Sequence, residues 1–379
     1  MPVAPGSVLR LDIAATDGSA RTGTVVTARG MFRTPCFMPV GTRGTVRTLT
    51  STDLEQLGAE VILGNTYHLM LKPGADLIAE LGGLHRFADW RGHLLTDSGG
   101  FQIFSLEPKV TDEGARFRST YDGSTHHLSP EGSVAVQQAL GADIQMVLDV
   151  CPPLPSPPRT IKAAVDRSAL WAARAKAAHA PARAEGSTQA QFGIVQGGVD
   201  LGLRAESADR TVEVGFDGYG IGGLSVGEPR HEMLPALATT TEALPTDQPR
   251  YLMGVGDPAS IVEAVALGVD MFDCVLPTRL ARHGTILTST GRLNLRNARF
   301  ARDPEPLEPG CACPTCERWS RAYLRHLLMV NEPTVARLTT VHNVHWLLRL
   351  VEQARQAVER GAYDGFRRSI LEVWDDPPA

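Results

Sequence analysis

The stretch VDMFDCVLPTRLARHG, Val269 to Gly284, opens as an apolar strand-like run with two aspartates set into it and closes on two arginines and a histidine. Its first nine residues, VDMFDCVLP, are the last of eight short apolar or β-branched runs. The others are PCFMPV (35 to 40), AEVILGN (59 to 65), HLLTDSGG (93 to 100), DIQMVLDV (143 to 150), AQFGIVQGG (190 to 198), DGYGIGGLSVG (217 to 227) and RYLMGVG (250 to 256). Between most of them lie helix-like segments such as TSTDLEQLGA, SPEGSVAVQQALGA and DPASIVEAVALG, several opened by the Ser, Thr, Pro or Asp of a helix cap. Apolar strands alternating with helices imply a parallel sheet covered on both faces, and eight such units imply closure. The expectation is an α/β fold, a (β/α)8 TIM barrel. A doubly wound open sheet is the alternative.

Active groups in such a barrel stand at the C-terminal ends of its strands. Here those ends carry Asn65, Asp97, Asp149, Gln196, Gly222 with Gly223, Met253 with Gly254, and Asp273. Any one of these alone is commonly a capping aspartate or a turn glycine. Carboxylates, amides and glycines converging on one rim suit the binding of a planar base and acid/base work on it.

Outside the barrel runs, residues 7 to 30 with the alternating TGTVVTARG predict an antiparallel hairpin closing the barrel floor. KVTDEGARFRSTYDGSTHHLSP predicts a second hairpin turning at Asp122-Gly123, and GTILTSTGRLNLRNARF a third. The organisation expected is a catalytic barrel over 1–283 with its N-terminal hairpin, a hairpin and metal-binding subdomain over 284–345, and C-terminal helices over 346–379 packing back on the barrel. At 379 residues, 43% hydrophobic and 21% charged, the chain has the composition of an ordinary globular protein. No apolar run approaches the roughly 20 residues of a membrane span, and the N-terminus lacks a signal-peptide pattern, so a cytoplasmic protein with no membrane partner is expected.

The net charge of -5 does not exclude a polyanionic partner, because charge is uneven. From Thr278 to Arg302 stand Arg279, Arg282, Arg292, Arg296, Arg299 and Arg302 with no acid among them. A solvated arginine-rich hairpin is the plain alternative.

CACPTC sets Cys311, Cys313 and Cys316 within one tight turn, a spacing that lets thiolates meet on one ion. Zinc takes four ligands. His342 in RLTTVHNV is the next supplier, with His345 and His326 as alternatives and a redox pair at Cys313 and Cys316, or simple buried thiols, as the competing readings. A Cys3His set leaves no open position, so the zinc would be a structural staple, one per subunit.

Taken together, LTDSGGFQIFSL (95 to 106), IVQGG (194 to 198), GIGGLSVGEP (220 to 229), YLMGVG (251 to 256), DMFDCVLPTRLAR (270 to 282) and CxCxxC with the distant His-Asn pair resemble bacterial tRNA-guanine transglycosylases, the queuine tRNA-ribosyltransferases. The likeness runs in order through nearly the whole chain. It implies a zinc-containing barrel, a homodimer, and exchange of guanine at the wobble position of a tRNA anticodon loop for a 7-deazaguanine, 7-aminomethyl-7-deazaguanine in bacteria. It implies Asp273 as nucleophile and Asp97 as general acid/base. Ser98, Gly99, Gly100, Phe101, Asp149, Gln196, Gly222, Gly223, Leu224 and Met253 would form the base site. Gly254, Val255, Gly256, Asp257, Pro258, Ala259 and Ser260, with Thr278, Arg279, Leu280, Ala281 and Arg282, would contact RNA. Cys311, Cys313, Cys316 and His342 would hold the zinc. Val150 replaces a glutamate of the family pattern, and Leu280 stands where some relatives have a polar residue; Val226 suits the bacterial type.

Those residue types fit that chemistry. A carboxylate nucleophile splits base exchange into two displacements with net retention, and positioned proton transfer adds roughly 10²–10⁴ in rate. Asp149 and Gln196 can read a guanine edge; amides at Gly222 to Leu224 can approach because glycine leaves room; Phe101 and Met253 would sandwich the ring. A nucleotide in a single-stranded loop can be splayed into the barrel mouth while Arg279 and Arg282 hold flanking phosphates. Two other classes compete. A non-catalytic tRNA-binding homologue is expected to lose an acid, whereas both are present; a metal-dependent barrel hydrolase needs histidines at the strand ends, and none stands there.

Overall fold

The computed structural model describes residues 8–375. Each of the eight apolar runs forms a strand: Cys36–Gly41, Val61–Gly64, His93–Thr96, Ile144–Met146, Ala190–Val195, Gly218–Ile221, Arg250–Leu252 and Met271–Cys274. They form one closed parallel barrel. The last strand seals it by pairing with the first, Phe272 against Phe37 and Asp273 against Met38. Nearly every strand residue is buried, as expected for a sheet with helices outside and packed side chains within. The strands are shorter than the sequence runs at their C-terminal ends. The remainder, such as Asp97–Gly100 and Gln196–Gly198, leaves the ladder and becomes the rim.

The N-terminal segment is a three-stranded antiparallel sheet, Leu9–Asp17, Ala20–Thr27 and Gly30–Thr34, one strand more than the expected hairpin. It closes the floor through Arg21, whose guanidinium grips Asp270 bidentately at 2.9 and 2.5 Å and also donates to the carbonyls of Thr246 and Gln248. Asp270 in turn accepts from the Arg250 amide at 2.8 Å. Of the two aspartates in the eighth run, the first is therefore a floor clamp and only the second reaches the rim. The insertion after the third strand likewise has three strands, Lys109–Thr111, Gly114–Arg118 and Thr125–Leu128, with the turn at Asp122-Gly123 where the sequence places it. The third hairpin is Thr285–Thr288 with Gly291–Asn294.

Beyond it, the cysteine turn and the helix Arg321–Met329 pack on one long helix, Thr334–Glu359. The expected division at 345/346 falls inside this helix. Its first half carries His342 and Asn343, and its second half packs on the barrel, with Arg355 donating to the Pro35 carbonyl. The final helix, Tyr363–Trp374, docks on Pro258–Ala266 through Tyr363 Oη to the Val262 carbonyl (2.8 Å) and Arg367 to Glu263. No helix among the described residues is long and apolar enough to cross a membrane.

Removing one member of a buried ion pair strands the other without solvent, at a cost of about 3–5 kcal/mol. Asp270→Asn is expected to lower the unfolding free energy by about that amount, read from urea denaturation. A variant as stable as wild type would show that Arg21 does not clamp the floor.

Candidate active site and metal centre

Three carboxyl groups face one another around the rim. Asp273 ends the last strand, and its Oδ1 accepts from both Tyr251 Oη (2.6 Å) and the Gly254 amide (2.7 Å). Its Oδ2 has no protein partner among the described residues. Burial pushes the Asp273 carboxyl upward against those two donors, and its charge together with burial drives the Tyr251 phenol far above its ordinary range. The tyrosine is thus a fixed donor, and Asp273 has one anchored oxygen and one free.

Asp97 lies beyond the third strand. Oδ1 accepts from the amides of Thr66 (2.8 Å) and Gly99 (3.1 Å), and Oδ2 from Asn65 Nδ2 (2.6 Å). Asn65 does two jobs, since its Oδ1 caps the helix Thr66–Leu71 by accepting from the His68 amide. Burial nevertheless dominates, with the charges of Asp273 and Asp149 adding to it, and the Asp97 carboxyl is pushed up to about 7. Asp149 is buried beside Ser98 and accepts from Gln196 Nε2 at 2.6 Å; burial raises it to about 6.

Gln196 is framed by glycine. A side chain at Gly223, whose φ is +64°, would sit 2.2 Å from Gln196 Oε1, and one at Gly222 would sit 2.7 Å from Nε2. Only a residue lacking Cβ both adopts that backbone and leaves the amide its place. Leu224 is buried behind them. Phe101, on the short helix Gly100–Phe104, is 62% exposed, an aromatic face open to the mouth. Met253, just past the seventh barrel strand, is half-buried with its sulfur near Gly220. Val150 packs with the apolar cluster around Tyr67 and Phe117.

The two stretches expected to touch RNA present less surface than their length suggests. Val255, Gly256, Pro258, Ala259 and Ser260 are buried, as are Thr278 and Ala281. Asp257 caps the helix Pro258–Ala266 and pairs with Arg230. Surface contact from these stretches is left to Gly254, Asp257, Arg279, Leu280 and Arg282. Arg282 has its guanidinium held down by burial and by the nearby charges of Arg47 and Arg279. Arg43 and Arg47, both exposed on the loop after the first strand, therefore extend the cationic rim. The sequence reading passed over them because two arginines in a polar loop carry no periodic signal.

It also missed Tyr251, hidden as an ordinary aromatic strand residue, and Arg204. The latter is fully buried on the helix Leu201–Val214 and donates to the carbonyls of Gly198 (2.6 Å), Val195 (3.3 Å), Gly222 (2.7 Å) and Gly223 (3.0 Å). Its spacing on an amphipathic helix looks like a surface cation, and only the fold reveals where it points.

Away from the rim, Cys311, Cys313, Cys316 and His342 bring their four donor atoms within 4.8 Å of one another. His342 Nδ1 lies 3.8, 3.5 and 3.2 Å from the three sulfurs. Bonds of about 2.3 Å to a tetrahedral ion place donors about 3.8 Å apart, so the set fits a metal. His342 Nε2 donates to the Leu287 carbonyl at 2.8 Å, which leaves Nδ1 unprotonated to face the ion. His326 is exposed, and His345 is outside the set of four. All six cysteines are free of disulfides.

A family model described as "Queuine tRNA-ribosyltransferase" matches residues 16–376. Among curated relatives, the queuine tRNA-ribosyltransferase of Symbiobacterium thermophilum is 53% identical over 94% of this chain and 88% of its own length. That of Desulforudis audaxviator is 53% identical over 93% and 94%, and that of Moorella thermoacetica 51% identical over 99% of each.

A carboxyl raised by folding binds its proton more tightly in the native than in the unfolded state. The stability it contributes is complete below its ordinary value of 3.8 and is lost as pH rises through about 7. Asp97→Asn removes that loss. The variant is therefore expected to gain stability relative to wild type as pH climbs from about 4 to about 7, measured as the difference in thermal melting along a pH series. A difference that does not change with pH would place Asp97 in an ordinary solvated environment.

Proposed function

The chain belongs to the queuine tRNA-ribosyltransferase family, and on that premise we propose that it exchanges guanine at wobble position 34 of tRNAs with GUN anticodons for 7-aminomethyl-7-deazaguanine, through a covalent ribosyl-Asp273 intermediate, in queuosine biosynthesis. The enzyme is a pentosyltransferase. The observation that carries the mechanism is the asymmetry of Asp273, one oxygen fixed by Tyr251 and Gly254 and the other free at the barrel mouth.

In the first displacement the free oxygen attacks C1′ of the ribose while the C1′–N9 bond breaks and its electron pair leaves with guanine. Asp97, its carboxyl raised by burial to about 7, can hold a proton at neutral pH and supplies the one that the departing base requires. In the second displacement the incoming base gives a proton back to Asp97, its N9 attacks C1′, and Asp273 is released. Two inversions retain the configuration. Asp149 and Gln196 hold the polar edge of either base, and Phe101 offers a stacking face. Stacking contributes about 1–3 kcal/mol without regard to which base is present, so choice between bases rests on the polar groups. The guanidinium groups of Arg279 and Arg282, with Arg43 and Arg47, fit the phosphates on either side of a splayed nucleotide.

For the Cys3His set the reading is Zn²⁺, one per chain, held by Cys311, Cys313, Cys316 and His342. Bound there, the ion supplies a structural cross-link with no open coordination position. The set lies apart from the carboxyl rim, and no step of the exchange is assigned to it.

Two outcomes follow. Asp273→Asn is expected to keep the fold, to lose incorporation of labelled guanine into tRNA, and to give no protein–RNA adduct by mass spectrometry; normal turnover by this variant would refute the nucleophile. Elemental analysis is expected to find one zinc per chain in wild type and none in Cys313→Ala. With on the order of 10 kcal/mol of local folding free energy tied to such an ion, strong chelation should lower the melting temperature sharply. A chelated protein that melts like the untreated one would remove the structural role.

A further inference from the structure

Arg204 is the one fully buried arginine among the largest buried side chains, and among the described residues no carboxylate is in ion-pair contact with it, Glu228 acting only from further off. A desolvated cation without a counterion is costly, and burial draws this guanidinium down to about 10. The cost is offset by four carbonyl acceptors, and these are not scattered. Val195 and Gly198 flank Gln196 at the end of the fifth barrel strand, while Gly222 and Gly223 form the turn after the sixth. One side chain thus ties together the two loops that build the polar wall of the proposed base site.

The contacts with Gly222 and Gly223 have a chemical consequence. The carbonyls of these residues belong to the peptide groups whose N–H ends are the amides of Gly223 and Leu224. Neither group is among the cis peptides, so each N–H points away from its carbonyl and hence away from the guanidinium. A cation bonded to the oxygen of a peptide draws electron density from it and sharpens the N–H as a donor, and bonds in series reinforce one another. Guanine leaving C1′ takes the bonding pair with it, and the negative charge spreads into the ring and its carbonyl oxygen. Donors prepared in advance for charge that grows in the transition state contribute to rate more than donors that serve the ground state alone.

We propose that Arg204 is a positioning residue for base exchange, fixing Gln196 against the Gly222-Gly223 turn and polarising the two peptide groups of that turn, the Gly223 amide beside Cys151 and the Leu224 amide next to it, toward the departing base. This rests on the function proposed above. It assigns a role to a side chain that touches neither base nor ribose and acts through backbone oxygen atoms.

The test compares wild type with Arg204→Met, which keeps bulk without charge, and Arg204→Lys, which keeps charge without the fork that reaches four carbonyls. Guanine incorporation into unmodified tRNA is measured alongside tRNA affinity, thermal melting, and calorimetric titration of guanine into the tRNA-free protein. Arg204→Met is expected to bind tRNA as wild type does, to bind guanine more weakly with a raised KM, and to lose roughly 10–10²-fold in kcat. Arg204→Lys should recover part of kcat but not of guanine affinity. Wild-type kinetics in a folded variant, equal losses in guanine and tRNA affinity, or failure of both variants to fold would overturn the proposal and leave Arg204 a core scaffold. Wild-type protein that binds guanine in an Arg204-dependent way yet exchanges nothing would sink the proposed function, leaving Arg204 as a positioning residue for base binding alone.

Discussion

The register in which the eighth strand meets the first governs everything at the mouth of the barrel. Phe272 pairs with Phe37 and Asp273 with Met38, and this pairing both closes the cylinder and fixes the height at which the last carboxylate emerges. Side chains alternate faces along a strand, so a slip of one residue would turn Asp273 out of the mouth. The floor contact works on the same strand from the other end. Asp270, held by Arg21 and the Arg250 amide, pins the start of the segment, and three residues later the chain delivers the second aspartate. Two acidic residues in an apolar run are thereby one floor anchor and one rim carboxyl, divided by which end of the barrel each faces.

The rim combines opposed electrostatic choices. Burial raises both carboxyl groups, but Asp273 shares Oδ1 between two donors and keeps Oδ2 open, whereas Asp97 has donors on both oxygens and two neighbouring carboxylates that add to its rise. Two carboxyl groups of one residue type thus have different anchoring and different neighbours. The cationic side chains stand outside this ring, on the loops after the first and last strands, where they face solvent without pairing with the carboxyl groups.

Much of this was legible in the sequence, for a physical reason: barrel strands buried on both faces read as apolar runs, and the residues directly after them must stand at the mouth. All eight runs and the carboxylates Asp97, Asp149 and Asp273 follow from that rule, and the cysteine spacing marks the metal site. What stayed hidden depends on contacts between distant segments. Arg204 looks like a helix-surface cation until the fold buries it, Tyr251 looks like core until its hydroxyl meets Asp273, and Arg21 is an unremarkable residue in a polar strand until it reaches Asp270. The extra strands at Gly30–Thr34 and Lys109–Thr111 were missed because short edge strands carry little hydrophobic pattern. The contact stretches 254 to 260 and 278 to 282 are only partly surface, since each turns at once into a helix whose inner face belongs to the core.

The helix Thr334–Glu359 connects regions that would otherwise be separate modules. Asn343, next to the metal-site histidine, accepts from the Leu287 amide and donates to the carbonyls of Pro277 and Thr285, on the chain just past Asp273. Three turns further along, Arg355 reaches the carbonyl of Pro35 at the entry to the first strand. One helix therefore spans from the cysteine turn to the barrel's seam. Proteolytic clipping of the cysteine-bearing segment would thus be felt at the seam itself, so this accessory unit cannot be shed by gene shortening while the catalytic cylinder stays as it is.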